Sequence, residues 1–265
     1  MPMLERHDGA RIHYELRGEG PLVALASYWS WNPSVFADLF AELERDHRVL
    51  TYDMRGTGES SRRGPYEMQT DIADLEALLE EVGGPAGLLA VSDSANRGVR
   101  LAASRPDLVG ALVCLGTAPF PRDVFADQEG FLGSDSVVEA FLEMLSRDYR
   151  GALRTLLAAT NAQMDDAELQ ERVATQYRYC PQAAALPRVR EWAFDDTREA
   201  TRQVGERLFI VTSPEGVAGP WLPDVEQLRK LTAELAPEAQ RIEFAEGAVS
   251  RPAEAAEIIR RIIAT

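Results

Sequence analysis

The chain has 265 residues, of which 45% are hydrophobic and 27% charged, so it is long enough for one large or two small domains of ordinary globular composition. This composition excludes a collagen-like, globally disordered or disulfide-scaffold protein. Lys and Arg number 28 and Asp and Glu 43, which gives a net charge of −15 and disfavours contact with a phosphate backbone. Since no basic cluster is longer than two residues, as at Arg62-Arg63, we expect no nucleic-acid partner.

Strand and helix patterns alternate along the first half of the chain. Strands are predicted over Arg11–Leu16, Leu22–Ala26, Arg48–Tyr52, Leu88–Val91 and Leu112–Leu115, and helices over Val35–Leu43, Asp71–Val82 and Ala95–Ala103. The first strand alternates polar and apolar residues, whereas the others are short apolar runs typical of buried strands. The alternation predicts an α/β protein with a doubly wound, mostly parallel sheet.

A helical stretch interrupts this pattern from about 123 to 195. Its clearest segments are Val137–Leu145, Ala152–Ala159 and Leu169–Tyr179. The sheet pattern then resumes with a strand over Leu208–Val211, a helix over Val225–Leu235, a strand over Arg241–Phe244 and a helix over Ala253–Ile263. We therefore expect a core made of residues 1–122 and 196–265, with a helical insertion over 123–195.

The two cysteines, Cys114 and Cys180, have no spacing with histidine that is typical of a metal site. The N-terminus has no apolar stretch of signal-peptide length, and no segment approaches the ~18 apolar residues of a membrane helix. We expect a cytoplasmic protein with no metal and no membrane partner, and leave a homodimer open.

The sharpest local feature is Leu88-Leu89-Ala90-Val91-Ser92-Asp93-Ser94-Ala95, where a buried strand leads into a helix with almost no loop. The corner residue of such a turn needs a strained backbone and small residues two positions before and after it. Ser92, between Ala90 and Ser94, meets this condition. Its hydroxyl and the Asp93 N–H at the helix start would then face one point. Corners centred on Asp93 or Ser94 fit less well, and simple helix capping by the serines stays open.

With these residues the chain resembles the α/β-hydrolase superfamily over nearly its whole length. The segment Asp53-Met54-Arg55-Gly56-Thr57-Gly58-Glu59-Ser60 resembles the family's D-x-R-G-x-G-x-S turn, and Ser92 falls where the family's G-x-S-x-G has its nucleophile. The stretch 101–109 resembles the helix end and strand that usually follow. The resemblance implies the α/β-hydrolase fold, with the insertion over 123–195 as a helical cap that covers the active site.

The chain departs from the family where its chemistry is expected. Ala90 and Ser94 replace the elbow glycines, and Ala26-Ser27 replaces the usual His-Gly of the oxyanion strand. The acid turn 212–216 has Glu215 one residue early, and the turn 245–250 has no histidine. The resemblance therefore implies an atypical member that lacks the catalytic histidine.

Only three histidines exist, His7, His13 and His47, and we expect each at the surface rather than as a base. Without a positioned base, a serine hydroxyl is a poor nucleophile at neutral pH. In a serine protease, loss of the histidine costs on the order of 10⁶ in kcat. Efficient ester hydrolysis by the usual route is therefore not expected.

Other groups of the expected pocket could act instead. Carboxylates under an apolar lid can have raised pKa values, which makes them candidate acids or bases. The candidate catalytic residues are Ser92, Asp93, Glu215 and Glu246. The candidate oxyanion and substrate-binding residues are Tyr28, Trp29, Trp31, Phe131, Tyr177, Tyr179 and Trp221. The aromatic residues could equally be core, and the carboxylates solvated. Arg97 and Arg100 are expected at the surface, although either could bind a substrate carboxylate or Asp53.

We predict an enzyme of specialised metabolism that epimerises, cyclises or eliminates from a bulky small-molecule or peptide intermediate without hydrolysis. The alternatives are a serine hydrolase of esterase type with an unusual base, and a non-catalytic protein that binds a small molecule. No G-x-G-x-x-G or P-loop pattern follows the first strand–turn–helix, where Ser27-Tyr28-Trp29-Ser30 stands instead, so we expect no cofactor.

Overall fold

A computed structural model of the chain describes residues 2–29, 32–119, 135–160, 164–212, 230, 233–244 and 250–264. Within them the strands are β1 (Met3–Glu5), β2 (Arg11–Arg17), β3 (Leu22–Ala26), β4 (Arg48–Tyr52), β5 (Ala86–Ala90), β6 (Val109–Leu115), β7 (Leu208–Thr212) and β8 (Gln240–Glu243). They form one sheet in the order β1-β2-β4-β3-β5-β6-β7-β8. The β1–β2 and β2–β4 pairs are antiparallel and the remaining pairs are parallel, which confirms the predicted α/β fold.

Helices cover both faces of the sheet. They are α1 (Ala37–Leu43), α2 (Met68–Val82), α3 (Ser94–Ser104), α4 (Asp135–Arg147), α5 (Tyr149–Thr160), α6 (Asp166–Tyr179), α7 (Gln182–Ala193), α8 (Arg198–Val204) and α9 (Pro252–Ile263). Successive strand residues point to opposite faces, so Val23 packs in one core cluster with residues of α1 and α9. Ala24 packs in the other cluster, with residues of α2, α3 and α8.

Helices α4–α7 lie in the chain between β6 and β7, where the sequence predicts the cap. We call the described residues 135–160 and 164–195 the helical insertion. Its buried side chains, among them Phe141, Leu153 and Val189, form a third apolar cluster. Trp29, which follows β3, is also part of this cluster. The insertion therefore packs on the loop that leaves β3.

Most predicted elements agree with the structure to within a few residues at each end. Helix Val225–Leu235 lies largely outside the described residues, although Lys230 and 233–235 are helical. The sequence analysis did not identify β1, α7 or α8. Among the described residues, no helix is long and apolar enough to cross a membrane.

Candidate active site

The corner between β5 and α3 has the strained backbone that the sequence indicates. Ser92 has a φ of +54°, and it is the only non-glycine residue with positive φ in the described part of the chain. A residue held in this region stores about 1–3 kcal/mol of strain. Ser92 is exposed, whereas Ala90 and Asp93 beside it are buried. The corner thus presents the Ser92 side chain at the carboxyl edge of a central strand.

Ser94 has a different role in the same corner. Its hydroxyl donates to the Val91 carbonyl at 2.7 Å and accepts from the Val91 N–H at 2.8 Å. Its side chain therefore closes the turn. Gly98, one turn further, brings α3 close to the sheet, because a Cβ there would lie 2.9 Å from the Leu112 side chain.

The Asp93 carboxylate is buried below the corner. It is 0% exposed and accepts from Arg97 Nη2 at 2.5 Å and from the Trp29 N–H at 3.3 Å. Burial raises the pKa of Asp93, and the charge of Arg97 opposes that shift. Both oxygens of the Asp93 carboxylate therefore have partners inside the protein, and its catalytic role stays a prediction.

Arg97 is also buried, at 2% exposure, so the expectation of a surface position is wrong for this residue. Besides Asp93, its Nη2 donates to the Ser27 carbonyl at 3.0 Å. Arg100, which is partly exposed, pairs with Asp195 of the helical insertion. Neither arginine pairs with Asp53, whose described partners lie elsewhere.

The two aromatic residues after β3 are both buried but pack in different directions. Tyr28 lies in the cluster that includes Phe36 and Phe40, and burial raises the pKa of its hydroxyl. Trp29 packs against the helical insertion, and its carbonyl accepts from the Cys180 thiol at 2.8 Å. The loop between β3 and α1 is thus held from both sides next to Ser92.

Asp53, which begins the glycine-rich turn after β4, connects the sheet edge to the insertion. Its carboxylate accepts from the Tyr179 hydroxyl at 2.8 Å and the Glu59 N–H at 2.9 Å, and it lies 3.0 Å from His13 Nδ1. A Cβ at Gly58 would come within 2.2 Å of this carboxylate, so the turn needs a glycine there. Tyr179, a candidate pocket residue, therefore contacts this turn.

The histidines differ in burial. His13 is 7% exposed beside Asp53, and His47 is 6% exposed with Nδ1 2.8 Å from Asp46. The prediction of surface positions is wrong for His13 and His47, because each imidazole is buried next to a carboxylate that can hydrogen-bond to it. His7 is exposed, as predicted.

The remaining candidate residues fall into two groups. Tyr177 is 46% exposed and packs against Tyr149, with ring centroids 5.9 Å apart and the rings tilted by 42°. Five candidates lie outside the described residues: Trp31, Phe131, Glu215, Trp221 and Glu246. In the described part of the chain, no group of three or more His, Cys, Asp or Glu side chains could hold a metal ion.

The sequence analysis missed the connection between Asp93 and Arg97. The signal was available, since an acid and a base four residues apart lie on the same face of a helix. The contact of Arg97 with Ser27 had no such signal, because 70 residues separate the two.

Comparisons with known proteins agree with this architecture. The sequence profile described as "Alpha/beta hydrolase family" matches residues 18–256. A pimeloyl-[acyl-carrier protein] methyl ester esterase of Aliivibrio salmonicida (strain LFI1238) is 25% identical over 185 residues, which are 66% of this chain and 66% of that protein. The polyketide synthase ThaQ of Burkholderia thailandensis is 34% identical over 117 residues, which are 43% of this chain and 6% of that protein. The matched part of the chain thus covers two thirds or less of the length of each of these relatives.

Solved structures show the same fold at low identity. The enol-lactonase from Burkholderia xenovorans LB400 has a TM-score of 0.74 at 18% identity, with 99% of this chain and 98% of that chain covered. The esterase EaEST from Exiguobacterium antarcticum has a TM-score of 0.77 at 15% identity, with 99% of each chain covered. Together with the profile match over most of its length, these likenesses show that the chain belongs to the alpha/beta hydrolase family.

Proposed function

We propose that this protein is an enzyme that converts an acyl-type intermediate at Ser92 without a Ser-His-acid triad and without net hydrolysis. Epimerisation, cyclisation and elimination are the reaction types that fit. The observation that carries the proposal is the exposed Ser92 at a corner with φ of +54°, in a chain whose three histidines all lie elsewhere.

The positions of the histidines support the absence of a usual base. His13 lies on β2, three strand spacings from β5, which is about 14 Å at ~4.8 Å per spacing. His47 precedes β4 and so lies at the opposite edge of the sheet from Ser92. His7 is exposed between β1 and β2 at the far end of the strand order. A hydrogen bond to the Ser92 hydroxyl requires a separation near 3 Å, which none of these positions provides.

The carboxylates complete the proposal. Asp93 is tied to Arg97, so we do not assign it the role of a free base. Glu215 and Glu246 remain the proposed acid and base from the sequence. The names of two relatives, a polyketide synthase and an esterase of a pimeloyl-[acyl-carrier protein] methyl ester, support an acyl chain of specialised metabolism as substrate.

The test uses an N-acetylcysteamine thioester of an α-methyl-β-ketoacyl chain in D₂O. An enzyme that abstracts the α-proton, releases it to solvent and returns a deuteron from D₂O breaks the C–H bond and forms a C–D bond, and the thioester otherwise stays intact. We expect α-deuteration by the wild type at a rate above that of Ser92→Ala. Ser104→Ala should keep the wild-type rate, because the bonds of this exposed hydroxyl within the described residues go to carbonyls of its own helix.

Two outcomes would overturn the proposal. Free acid formed by the wild type but not by Ser92→Ala would instead support the serine hydrolase with an unusual base, a candidate that the esterase relatives favour. Saturable binding of the thioester, with equal α-deuteration and no free acid in wild type and Ser92→Ala, would support the non-catalytic binding protein.

A further inference from the structure

We infer that Asp93 and Arg97 are positioning residues that fix the loop after β3 against the Ser92 corner and thereby set the oxyanion-binding N–H groups. The inference deepens the proposed function and rests on its placement of the reacting group at Ser92. Neither side chain is assigned a contact with substrate, since both are buried to 2% exposure or less.

The contacts form a chain from the corner to the loop. Arg97 Nη2 donates both to Asp93 Oδ2 at 2.5 Å and to the Ser27 carbonyl at 3.0 Å. Asp93 Oδ1 accepts from the Trp29 N–H at 3.3 Å. The Ser27 hydroxyl donates to the Tyr52 carbonyl at 2.6 Å, which ties the same loop to β4. The pair thus holds the loop on both sides of Tyr28.

The direction of the Tyr28 N–H follows from the planarity of the peptide bond. The Ser27 carbonyl and the Tyr28 N–H belong to one peptide unit, and in a trans peptide they point in opposite directions. Because Arg97 holds the carbonyl, it also fixes the direction of that N–H, away from the buried guanidinium. A substitution that releases Ser27 would let this peptide rotate.

Asp93 contributes to the same geometry through its own backbone. The N–H of the residue after the corner serine is the other donor expected for an oxyanion. Its carboxylate is held by Arg97 and by Trp29, so the corner and the loop cannot shift independently. The charge of Asp93 is buried at a cost, which the charge of Arg97 offsets only in part.

The test introduces a nucleophile that needs no histidine, because a thiolate forms near neutral pH. In Ser92→Cys, p-nitrophenyl acetate acylates the new thiolate: an S–C bond forms, and p-nitrophenolate leaves with the electron pair of the broken ester bond. This step passes through an oxyanion and uses the two N–H groups. Alkylation by iodoacetamide has no such oxyanion. Intact-mass measurements across a pH series give the rate constants of acylation and of alkylation. Both depend on the pKa and the accessibility of the thiol, so their ratio reports the oxyanion site alone.

In the Ser92→Cys background, Arg97→Met and Asp93→Asn should lower the acylation-to-alkylation ratio about 10- to 100-fold. Arg100→Met, on the same helix but paired with Asp195, should leave the ratio unchanged. The native thiols at Cys114 and Cys180 are both buried. Any labelling of these two thiols is measured on the wild-type protein, which has no thiol at position 92.

A single substitution that leaves one buried charge unpaired can prevent folding. The charge-neutral double variant Asp93→Asn/Arg97→Gln in the same background then carries the test, and it too should show a lowered ratio. An unchanged ratio in a folded single or double variant would overturn the inference. Because no native substrate is needed, this result is independent of the α-deuteration that tests the proposed function.

Discussion

The Arg188–Asp71 pair joins the helical insertion to α2, and the Asp93–Arg97 pair lies beneath Ser92; both are buried, but their hydrogen bonding differs. Arg188 contacts both oxygens of Asp71 at 2.6 Å and also donates to the carbonyls of Ala184 and Arg55. In the second pair a single nitrogen of Arg97 serves two acceptors.

The two arginines also differ in whether a buried guanidinium nitrogen lacks a hydrogen-bond partner. Arg97 Nε is buried and has no hydrogen-bond partner among the described residues, whereas no side-chain nitrogen of Arg188 is left in this way. A bidentate pair in which every guanidinium nitrogen has an acceptor is suited to fixing one arrangement of two helices. An incompletely bonded pair that reaches the loop after β3 gives less stability, and its contacts lie at the candidate site. The comparison teaches that burial alone does not distinguish a structural pair from a positioning pair.

The largest expected effect is on the insertion–core pair. Arg188→Met leaves the Asp71 carboxylate buried without its partner, so the free energy of unfolding should fall by about 3–5 kcal/mol. Arg154→Met removes an exposed pair with Asp166 and should leave the free energy of unfolding nearly unchanged. Urea unfolding measures both. A loss of similar size in the two variants would remove the distinction between buried and exposed pairs.

Arg97→Met should destabilise the protein in a pH-dependent way. Burial raises the pKa of Asp93, and without Arg97 the Trp29 N–H remains to oppose that shift while the opposing positive charge is lost. A carboxyl group whose folded-state pKa is raised contributes stability below its unfolded pKa of about 3.9 and loses it as the pH rises through the folded value. The free energy of unfolding that Arg97→Met loses relative to wild type should therefore be larger at about pH 8 than at about pH 5. Urea midpoints at the two pH values measure it, and a deficit independent of pH would contradict the account.

Two tyrosines of the insertion, Tyr179 and Tyr177, allow the loss of a buried hydroxyl contact to be compared with the loss of an exposed one. Tyr179→Phe removes a donor to the Asp53 carboxylate and should cost about 1.5–3 kcal/mol. Tyr177→Phe changes an exposed hydroxyl and should stay within about 0.5 kcal/mol of wild type. Thermal unfolding followed by circular dichroism compares the two, and equal effects would show that the Asp53 contact does not anchor the insertion.

The smallest expected effect concerns backbone strain. Ser92→Gly should be more stable than Ser92→Ala by up to about 1 kcal/mol, since glycine adopts positive φ without steric cost. Ala103→Gly, within α3, should instead lose about 1 kcal/mol. Denaturant unfolding of the three variants and the wild type measures both differences in the free energy of unfolding and shows whether each glycine stabilises or destabilises. A Ser92→Gly variant less stable than Ser92→Ala would argue against a strained corner.

The sheet could be predicted from the sequence because its buried strands are short apolar runs bounded by turn residues. The strand over Arg48–Tyr52 agrees with the structure at both ends, and Leu22–Ala26 does too. β1 was missed because it is a three-residue edge strand with no alternation to detect. α7 was missed in part because Pro187 lies within it, and proline usually ends a helix.

The candidate site was predictable only in part. Small residues on both sides of Ser92 indicated the corner, which is a local property. The burial of His13 beside Asp53 was not local, because 40 positions separate the two residues. Arg97 has one local partner, Asp93, but its contact with Ser27 spans 70 positions. Residue type alone favours the surface for a charged side chain, and only a partner changes that preference.

The most direct test of the central claim, that Ser92 stands at a reactive corner without a triad, is labelling with a fluorophosphonate followed by intact-mass measurement. We predict no adduct on the wild type, while the thiol of Ser92→Cys is alkylated by iodoacetamide and so proves that the position is accessible. An adduct on the wild type that is lost in Ser92→Ala would contradict the account, because it would show a serine activated by a base that the three histidines do not supply.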